Sequence, residues 1–79
     1  MISIPRFMSA DNICQEQFKE GDLVQLYNGS DSVWTRIVDV KTRGYFDGVV
    51  SSRLLKTSYT FGDLIRFHRR HIQGFSLSE

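Results

Sequence analysis

A chain of 79 residues is long enough for one small domain, and a composition that is 41% hydrophobic and 13% aromatic is too apolar for a disordered segment. A formal net charge of +1 gives no reason to expect strong, non-specific attraction to a polyanion. A core of this size leaves only about 3–5 kcal/mol of net stability, so small domains often need a further support.

The sequence predicts a cytoplasmic protein without membrane contact. No apolar run approaches the roughly 18 residues that cross a bilayer. The N-terminus lacks the basic start and apolar stretch of a secretion signal. Cys14 is the only cysteine, which excludes an internal disulfide and favours a reducing compartment. A homodimer is therefore the remaining route to extra stability.

Residues 1–18 are predicted to form an arm followed by a short helix. Pro5 suits an edge strand or an arm because it has no N–H to donate. Ser9 is placed to cap the helix. The narrow apolar stripe of this helix would consist of Ala10, Ile13, Cys14 and Phe18. A helix of about two turns does not stand alone in water, so we expect it to lie on the rest of the domain or on a partner.

Three β-type runs joined by turn sequences organise the middle of the chain. The first is Leu23 to Tyr27, and it is followed by the turn pair Asn28-Gly29. The second, about Val33 to Lys41, has no cleanly apolar side, which indicates a bulge or a strong bend in mid-strand. In the third, Tyr45 to Val50, a central glycine permits sharp bending or close approach of another backbone.

The second half of the chain returns to a final strand. Residues 51–60 show no clear period and predict a long loop that is pinned by one or both of its leucines, Leu54 and Leu55. Gly-Asp-Leu occurs at Gly21 and again at Gly62. We interpret each copy as a loop that enters a strand with the same alternation of inward and outward side chains, because two copies are too few for a repeat protein.

Residues 68–71 are predicted to turn the chain, as one 3₁₀ turn, before a short last strand that starts at Ile72. Residues 74–79 would form a tail. Five short strands with tight turns and one long loop predict a mainly β domain over residues 1–79. Its centre, residues 19–73, would be a small five-stranded antiparallel barrel.

Across residues 18–72 the chain reads Gly-Asp-Leu-Val-x-Leu, Trp-x-Arg-Ile-Val-Asp-Val, Phe-x-Gly-Val-Val, Gly-Asp-Leu-Ile-x-Phe and Arg-His-Ile. This order resembles small SH3-like barrels of uncharacterised bacterial and phage families. In such domains the second Gly-Asp step leads back to a final short strand, here near Ile72. The resemblance implies an interaction module and carries no catalytic residues. A barrel of this form suits an accessory or inhibitor protein of a phage or mobile element that blocks a larger host complex.

The first functional hypothesis is a non-enzymatic protein-interaction module. An SH3-like barrel can present an aromatic groove to a peptide of a partner protein. The candidate partner-binding residues are Tyr27, Tyr45, Arg53, Tyr59, Arg69 and Arg70. Tyr27 and Tyr59 fit a groove and the edge of a core equally well. We place Trp34 in the core, because so small a core needs its largest hydrophobic side chain.

The second hypothesis is a nucleic-acid-binding barrel. Basic groups interleaved with an aromatic ring can bind phosphates and stack a base. The residues would be Arg53, Lys56, Arg66, Phe67, Arg69 and Arg70. Against it, residues 1–47 hold five Lys/Arg and seven Asp/Glu, a net −2 that would repel a nucleic-acid backbone. The basic residues would then pair with Asp47, Asp63 or Glu20.

No arrangement for catalysis, cofactor or metal binding is predicted. Cys14 lies on an apolar stripe, where cysteine acts as a small hydrophobic side chain. His68 and His71 are three residues apart, but a metal site normally needs three or four protein ligands. The aspartates are not paired for acid–base chemistry, and no phosphate-binding glycine loop occurs. We therefore expect no enzymatic activity.

Overall fold

The computed structural model describes residues 2–13, 15–52 and 60–78. In chain order its elements are β1 (Leu23–Tyr27), β2 (Ser32–Val40), β3 (Tyr45–Val50), β4 (Leu64–His68), the 3₁₀ turn η1 (Arg69–His71) and β5 (Ile72–Ser76). The strands form one antiparallel sheet in the order β4-β3-β2-β1-β5, which confirms the predicted mainly β class and its five strands. This part of the chain contains no helix with the length and apolar character of a membrane span.

The hydrogen-bonded sheet is open, so the predicted barrel is not confirmed. Strands β4 and β5 are the two edges of the sheet. The edge of β4 is partly covered by the N-terminal arm, because Ser3 forms a parallel bridge with Ile65. The N–H of Ser3 donates to the carbonyl of Leu64 at 3.2 Å, and its carbonyl accepts from the N–H of Arg66 at 2.8 Å.

The predicted N-terminal helix is not present in residues 9–13 and 15–18, the described parts of that segment. Here the backbone donors are used across the molecule instead. The N–H of Met8 donates to the carbonyl of Tyr27 at 2.7 Å, and that of Ala10 donates to Arg70 at 2.8 Å. These bonds replace those of a short helix, whose nucleation is costly.

Phe18 is the member of the predicted helical stripe that enters the core, whereas Ile13 is exposed and Cys14 lies outside the described residues. The Phe18 ring packs edge to face on Phe46 of β3 at 5.8 Å and on Phe75 of β5 at 5.4 Å between centroids. The Phe18 ring therefore links β3 and β5 by side-chain packing, although these two strands are not neighbours in the hydrogen-bonded sheet.

Side chains alternate between the core and the surface along β1, and along β2 from Ser32 to Val38. Val24 and Leu26 of β1 are fully buried. The register of β2 against β3 shifts between Ile37 and Asp39, which confirms the predicted irregularity in mid-strand. The core as a whole contains Phe7, Phe18, Val24, Leu26, Val33, Ile37, Phe46, Val50, Ile65, Phe67 and Ile72.

The placement of Trp34 in the core is wrong. Its side chain lies on the outer face of β2 with 37% of its surface exposed. The alternating residues Val33, Thr35 and Ile37 are all buried, and the period of a strand then turns Trp34 outward.

Gly48 shows the predicted close approach between neighbouring strands. A Cβ atom at this position would lie 2.4 Å from Cγ2 of Thr35 and 2.9 Å from the carbonyl oxygen of Arg36. Phe67 of β4 would also be in contact, at 3.1 Å. Only glycine lets β2, β3 and β4 pack together here.

The two Gly-Asp steps form the same turn. Gly21 and Gly62 have positive φ angles of 97° and 94°. In each turn the aspartate, Asp22 or Asp63, donates its N–H to the carbonyl three residues earlier, at 3.2 and 3.0 Å. Its carboxylate accepts from the N–H of that same earlier residue, at 2.9 Å in both turns. The interpretation of the two copies as equivalent entries into strands is confirmed.

The 3₁₀ turn at Arg69–His71 and a last strand from Ile72 are both present as predicted. The last strand runs to Ser76, three residues into the predicted tail, because its pairing with β1 continues to that residue. The predicted pinning of the long loop by Leu54 and Leu55 falls on residues outside those described.

Candidate protein-binding groove

Two adjoining hollows lie beside β3 and β4, and they share Ile4, Tyr45 and Arg66 as a common wall. We call the joined surface the Tyr45 groove. Its side chains come from the N-terminal arm, the end of β2, strands β3 and β4, and η1. Among the residues that line this groove are Ile4, Arg6, Val40, Lys41, Tyr45, Arg66, Arg70 and His71.

The first hollow has an exposed apolar surface. Ile4 is 65% exposed, Val40 is 48% exposed and Tyr45 is 36% exposed. Val40 follows the bulge of β2, where the alternation no longer buries every second residue. The Tyr45 ring is held edge-on against His68, with 4.8 Å between the ring centroids. Apolar groups that lie together on a surface are typical of contact sites.

Two cations of the groove are held by carboxylates, Asp39 on β2 and Asp47 on β3. The Arg66 guanidinium donates to both oxygens of Asp47, from Nε at 2.7 Å and from Nη2 at 3.2 Å. Nζ of Lys41 lies 2.7 Å from Oδ2 of Asp39 and 3.9 Å from Oδ2 of Asp47. The hydrogen bond with Lys41 lowers the pKa of Asp39, and in return raises the pKa of Lys41. The hydrogen bond that Arg66 donates to Asp47 raises the pKa of Arg66.

Two further cations of the groove have no such partner. Arg6 and Arg70 are exposed in the second hollow, and neither side chain pairs with a carboxylate among residues 2–13, 15–52 and 60–78. Within the same ranges, no aspartate or glutamate lines either hollow. The groove therefore presents an excess of positive charge next to its apolar surface.

A pair of histidines fixes the turn that carries Arg70. Nδ1 of His68 accepts from the N–H of Arg70 at 3.0 Å, and Nδ1 of His71 accepts from the N–H of His68 at 3.1 Å. With Nδ1 as an acceptor, Nε2 of His68 carries the proton and donates to the carbonyl of Arg43 at 3.0 Å. Burial, and then the charge of Arg70, lower the pKa of His71, which favours the neutral ring that the cap requires.

Of the residues that the sequence predicts for partner binding, the structure brings Tyr45 and Arg70 together in the groove. Arg69 lies in the same turn but packs elsewhere. Its guanidinium sits over the rings of Phe18 and Phe46, at 5.5 and 5.4 Å from their centroids. It also donates to the carbonyl of Glu16. Arg69 thus holds the segment before β1 against the core.

Tyr27 lies outside the groove. It is half-buried at the end of β1, and its hydroxyl donates to the carbonyl of Gly29 at 3.0 Å. The two remaining predicted contacts, Arg53 and Tyr59, fall outside the described residues.

Three of the residues predicted for nucleic-acid binding, Arg66, Phe67 and Arg70, line the second hollow, but only Arg70 is exposed and unpaired among the described residues. Phe67 is buried and stacked on Phe46, with 5.7 Å between centroids and 27° between ring planes, so it offers no free face to a base. Arg66 is paired with Asp47. Arg53 and Lys56 lie in the part of the chain that the structure does not describe.

Neither predicted set of binding residues includes five of the groove residues named above: Ile4, Arg6, Val40, Lys41 and His71. Two signals pointed to them. The mixed faces of the second β-type run indicated that its end does not follow a simple inside-outside pattern. The proline of the arm indicated an edge strand, but not which edge it covers.

No family model matches this chain, and comparisons with curated proteins and with solved structures also give no match. Among the described residues, no three His, Cys, Asp or Glu side chains come together as a metal site would require. The geometry of the Tyr45 groove is therefore the basis for the function proposed next.

Proposed function

We propose that this protein is a non-enzymatic protein-interaction module that contacts its partner through the Tyr45 groove. The observation that carries this proposal is the exposure of Ile4, Val40 and Tyr45 on one surface among positioned cations. Protein interfaces commonly combine an apolar, aromatic centre with a polar rim that contains arginine. The groove has both parts.

The fold supports the same class of function by resemblance. The second Gly-Asp turn leads through β4 and η1 to a last strand that starts at Ile72, as the resemblance to SH3-like barrels implies. We propose that the open sheet, with Phe18 packed between β3 and β5, is such a barrel. Because one fold serves many functions, this supports an interaction role only at the level of class. An accessory or inhibitor role in the cytoplasm is part of the proposal.

A selection of displayed random peptides on the immobilised protein tests the groove. The test variant replaces two exposed apolar residues with serine, Ile4→Ser and Val40→Ser. The matched control is Val38→Ser, which changes an exposed valine of the same strand outside the groove. Since all three side chains are largely exposed, we expect each variant to fold like the wild type, as circular dichroism would verify.

We expect enriched peptides to bind the wild type and Val38→Ser equally and to lose about tenfold in affinity for the double variant. Peptides that bind all three proteins equally would place the contact elsewhere and contradict the proposal. A selection that enriches no peptide would contradict it as well.

A further inference from the structure

We infer that the groove takes an acidic partner segment in which carboxylates lie next to an apolar side chain. This inference rests on the proposed function, because it names the chemistry of the partner that the same groove would bind. It is carried by the placement of paired and unpaired charges around Tyr45.

The charge balance of the groove leaves two arginines for a partner. Lys41 and Arg66 are already neutralised by Asp39 and Asp47, at 2.7 Å in both cases. Arg6 and Arg70 are exposed and have no carboxylate partner among the described residues. Arginine binds carboxylates through paired hydrogen bonds, which gives both strength and orientation.

The apolar and basic parts of the groove are continuous. Ile4 and Tyr45 line both hollows, the one that contains Val40 and the one that contains Arg6 and Arg70. A partner segment that places an apolar side chain against Val40 therefore extends past Tyr45 to the two arginines. Acidic residues beside that apolar side chain would meet them there.

The histidine cap supports this use of Arg70. Arg70 is exposed, but its backbone is fixed by its N–H bond to His68 and by the bond from Ala10 to its carbonyl, at 2.8 Å. A side chain that starts from a fixed backbone loses less conformational entropy when it binds a ligand.

Three pools of short fluorescent peptides test the inference by anisotropy. Every peptide has a central leucine or phenylalanine, and its flanking positions hold glutamate, glutamine or lysine in the acidic, neutral and basic pools. The test variant reverses both charges, Arg6→Glu and Arg70→Glu. The control is Arg36→Glu, which reverses an exposed charge in the hollow beside Trp34. A mixed-sequence single-stranded oligonucleotide is titrated in parallel at low and high salt.

For the wild type and the control we expect the acidic pool to bind about tenfold more tightly than the neutral pool. For the double variant we expect this preference to disappear and the basic pool to bind more tightly than the acidic one. A stability change does not exchange one pool for another, so this reversal reports a direct contact.

Equal binding of the acidic and neutral pools, lost in Ile4→Ser/Val40→Ser, would overturn the inference and leave the proposed function standing. Absence of binding by every pool would contradict both if the display selection also failed. If the oligonucleotide bound more tightly than any pool, with a steep salt dependence, the groove would bind nucleic acid and the inference of an acidic partner segment would be overturned.

Discussion

The two Gly-Asp turns have the same backbone and serve two different purposes. Asp22 is fully buried, and besides its bond within the turn it accepts from the N–H of Ser78 at 2.7 Å and from Nζ of Lys19 at 3.4 Å. Asp63 makes the equivalent bond within its turn but is exposed to solvent. The first carboxylate therefore ties the C-terminal tail to the start of β1, whereas the second organises its own loop.

The strands that follow the turns show the same contrast. Val24 and Leu26 of β1 point into the core, as Ile65 and Phe67 of β4 do. Between the buried pair of β4 lies Arg66, which belongs to the Tyr45 groove. A short local sequence therefore determines the turn and the strand that follows it. The surrounding residues determine whether this turn and strand stabilise the fold or form a contact surface.

The largest effect is expected from removing the carboxylate of Asp22, with that of Asp63 as the comparison. Asp22→Ala leaves the N–H groups of Lys19 and Ser78 without their charged acceptor in a buried site, which we expect to cost about 3 kcal/mol of unfolding free energy. Asp63→Ala removes an exposed bond and should cost less than about 1 kcal/mol. Urea denaturation of both variants measures the difference. Equal losses would mean that burial does not separate the two turns.

Low pH should reduce the stability of the wild type by protonating the same carboxylate, that of Asp22. Burial raises the pKa of Asp22, but the hydrogen bonds from Ser78 and Lys19 and the charge of Lys19 outweigh it, so the pKa lies below the ordinary 3.8. A lowered folded-state pKa means that Asp22 stabilises the fold above about pH 4 and that this stability is lost as pH falls through the folded pKa.

Urea denaturation of the wild type, Asp63→Asn and Asp22→Asn, from neutral pH to below about pH 4, measures this loss of stability. Asp63→Asn should keep the loss of stability at low pH, whereas Asp22→Asn should show a shallower slope because the titrating group is gone. Parallel slopes in the two variants would show that the acid sensitivity arises elsewhere.

Alanine at the two glycines should have similar, intermediate effects. Both glycines have positive φ, which costs an L-residue about 1–2 kcal/mol. A Cβ at Gly21 would also lie 3.3 Å from Oγ of Ser78, whereas a Cβ at Gly62 meets nothing within 4 Å. Thermal unfolding should therefore rank Gly21→Ala slightly below Gly62→Ala. The reverse order would indicate that the tail does not constrain the first turn.

A smaller effect than at the glycines is expected from the tail itself. Ending the chain after Leu77 removes the N–H of Ser78 and should cost about 1 kcal/mol. In the background of Asp22→Ala the same truncation should cost less, because the acceptor of the Ser78 N–H is already absent and only the exposed bond from Nζ of Lys19 to the Ser78 carbonyl is lost. Additive losses in a double-mutant cycle would contradict the assigned contact.

The sequence predicts the local features of this fold well. Turn residues and alternation are local properties, and they give β1 and β3 the bounds that the structure has. The period of β2 also places Trp34 on the other face of the strand from Val33, and the expectation that so large a side chain lies in the core is wrong. In this sheet the strand period, and not the size of the side chain, determines which residues are buried.

The groove is harder to predict because it is assembled from distant parts of the chain. Ile4 and Arg6 join it only because Ser3 pairs with Ile65 across nearly the whole sequence. No local pattern encodes that pairing. Among the described residues before β1, the predicted helix is not found for the same reason. The N–H of Ala10 donates to a carbonyl in η1, which is distant in the sequence.

The most direct test of the central claim is an NMR titration of the ¹⁵N-labelled protein with the acidic peptide pool. We expect amide shift changes at Tyr45, Arg66 and Arg70, around the strand that follows the second Gly-Asp turn, and none at Asp22. Changes confined to the residues around Trp34, or changes spread evenly over the sheet, would contradict the assignment of the groove as the contact surface.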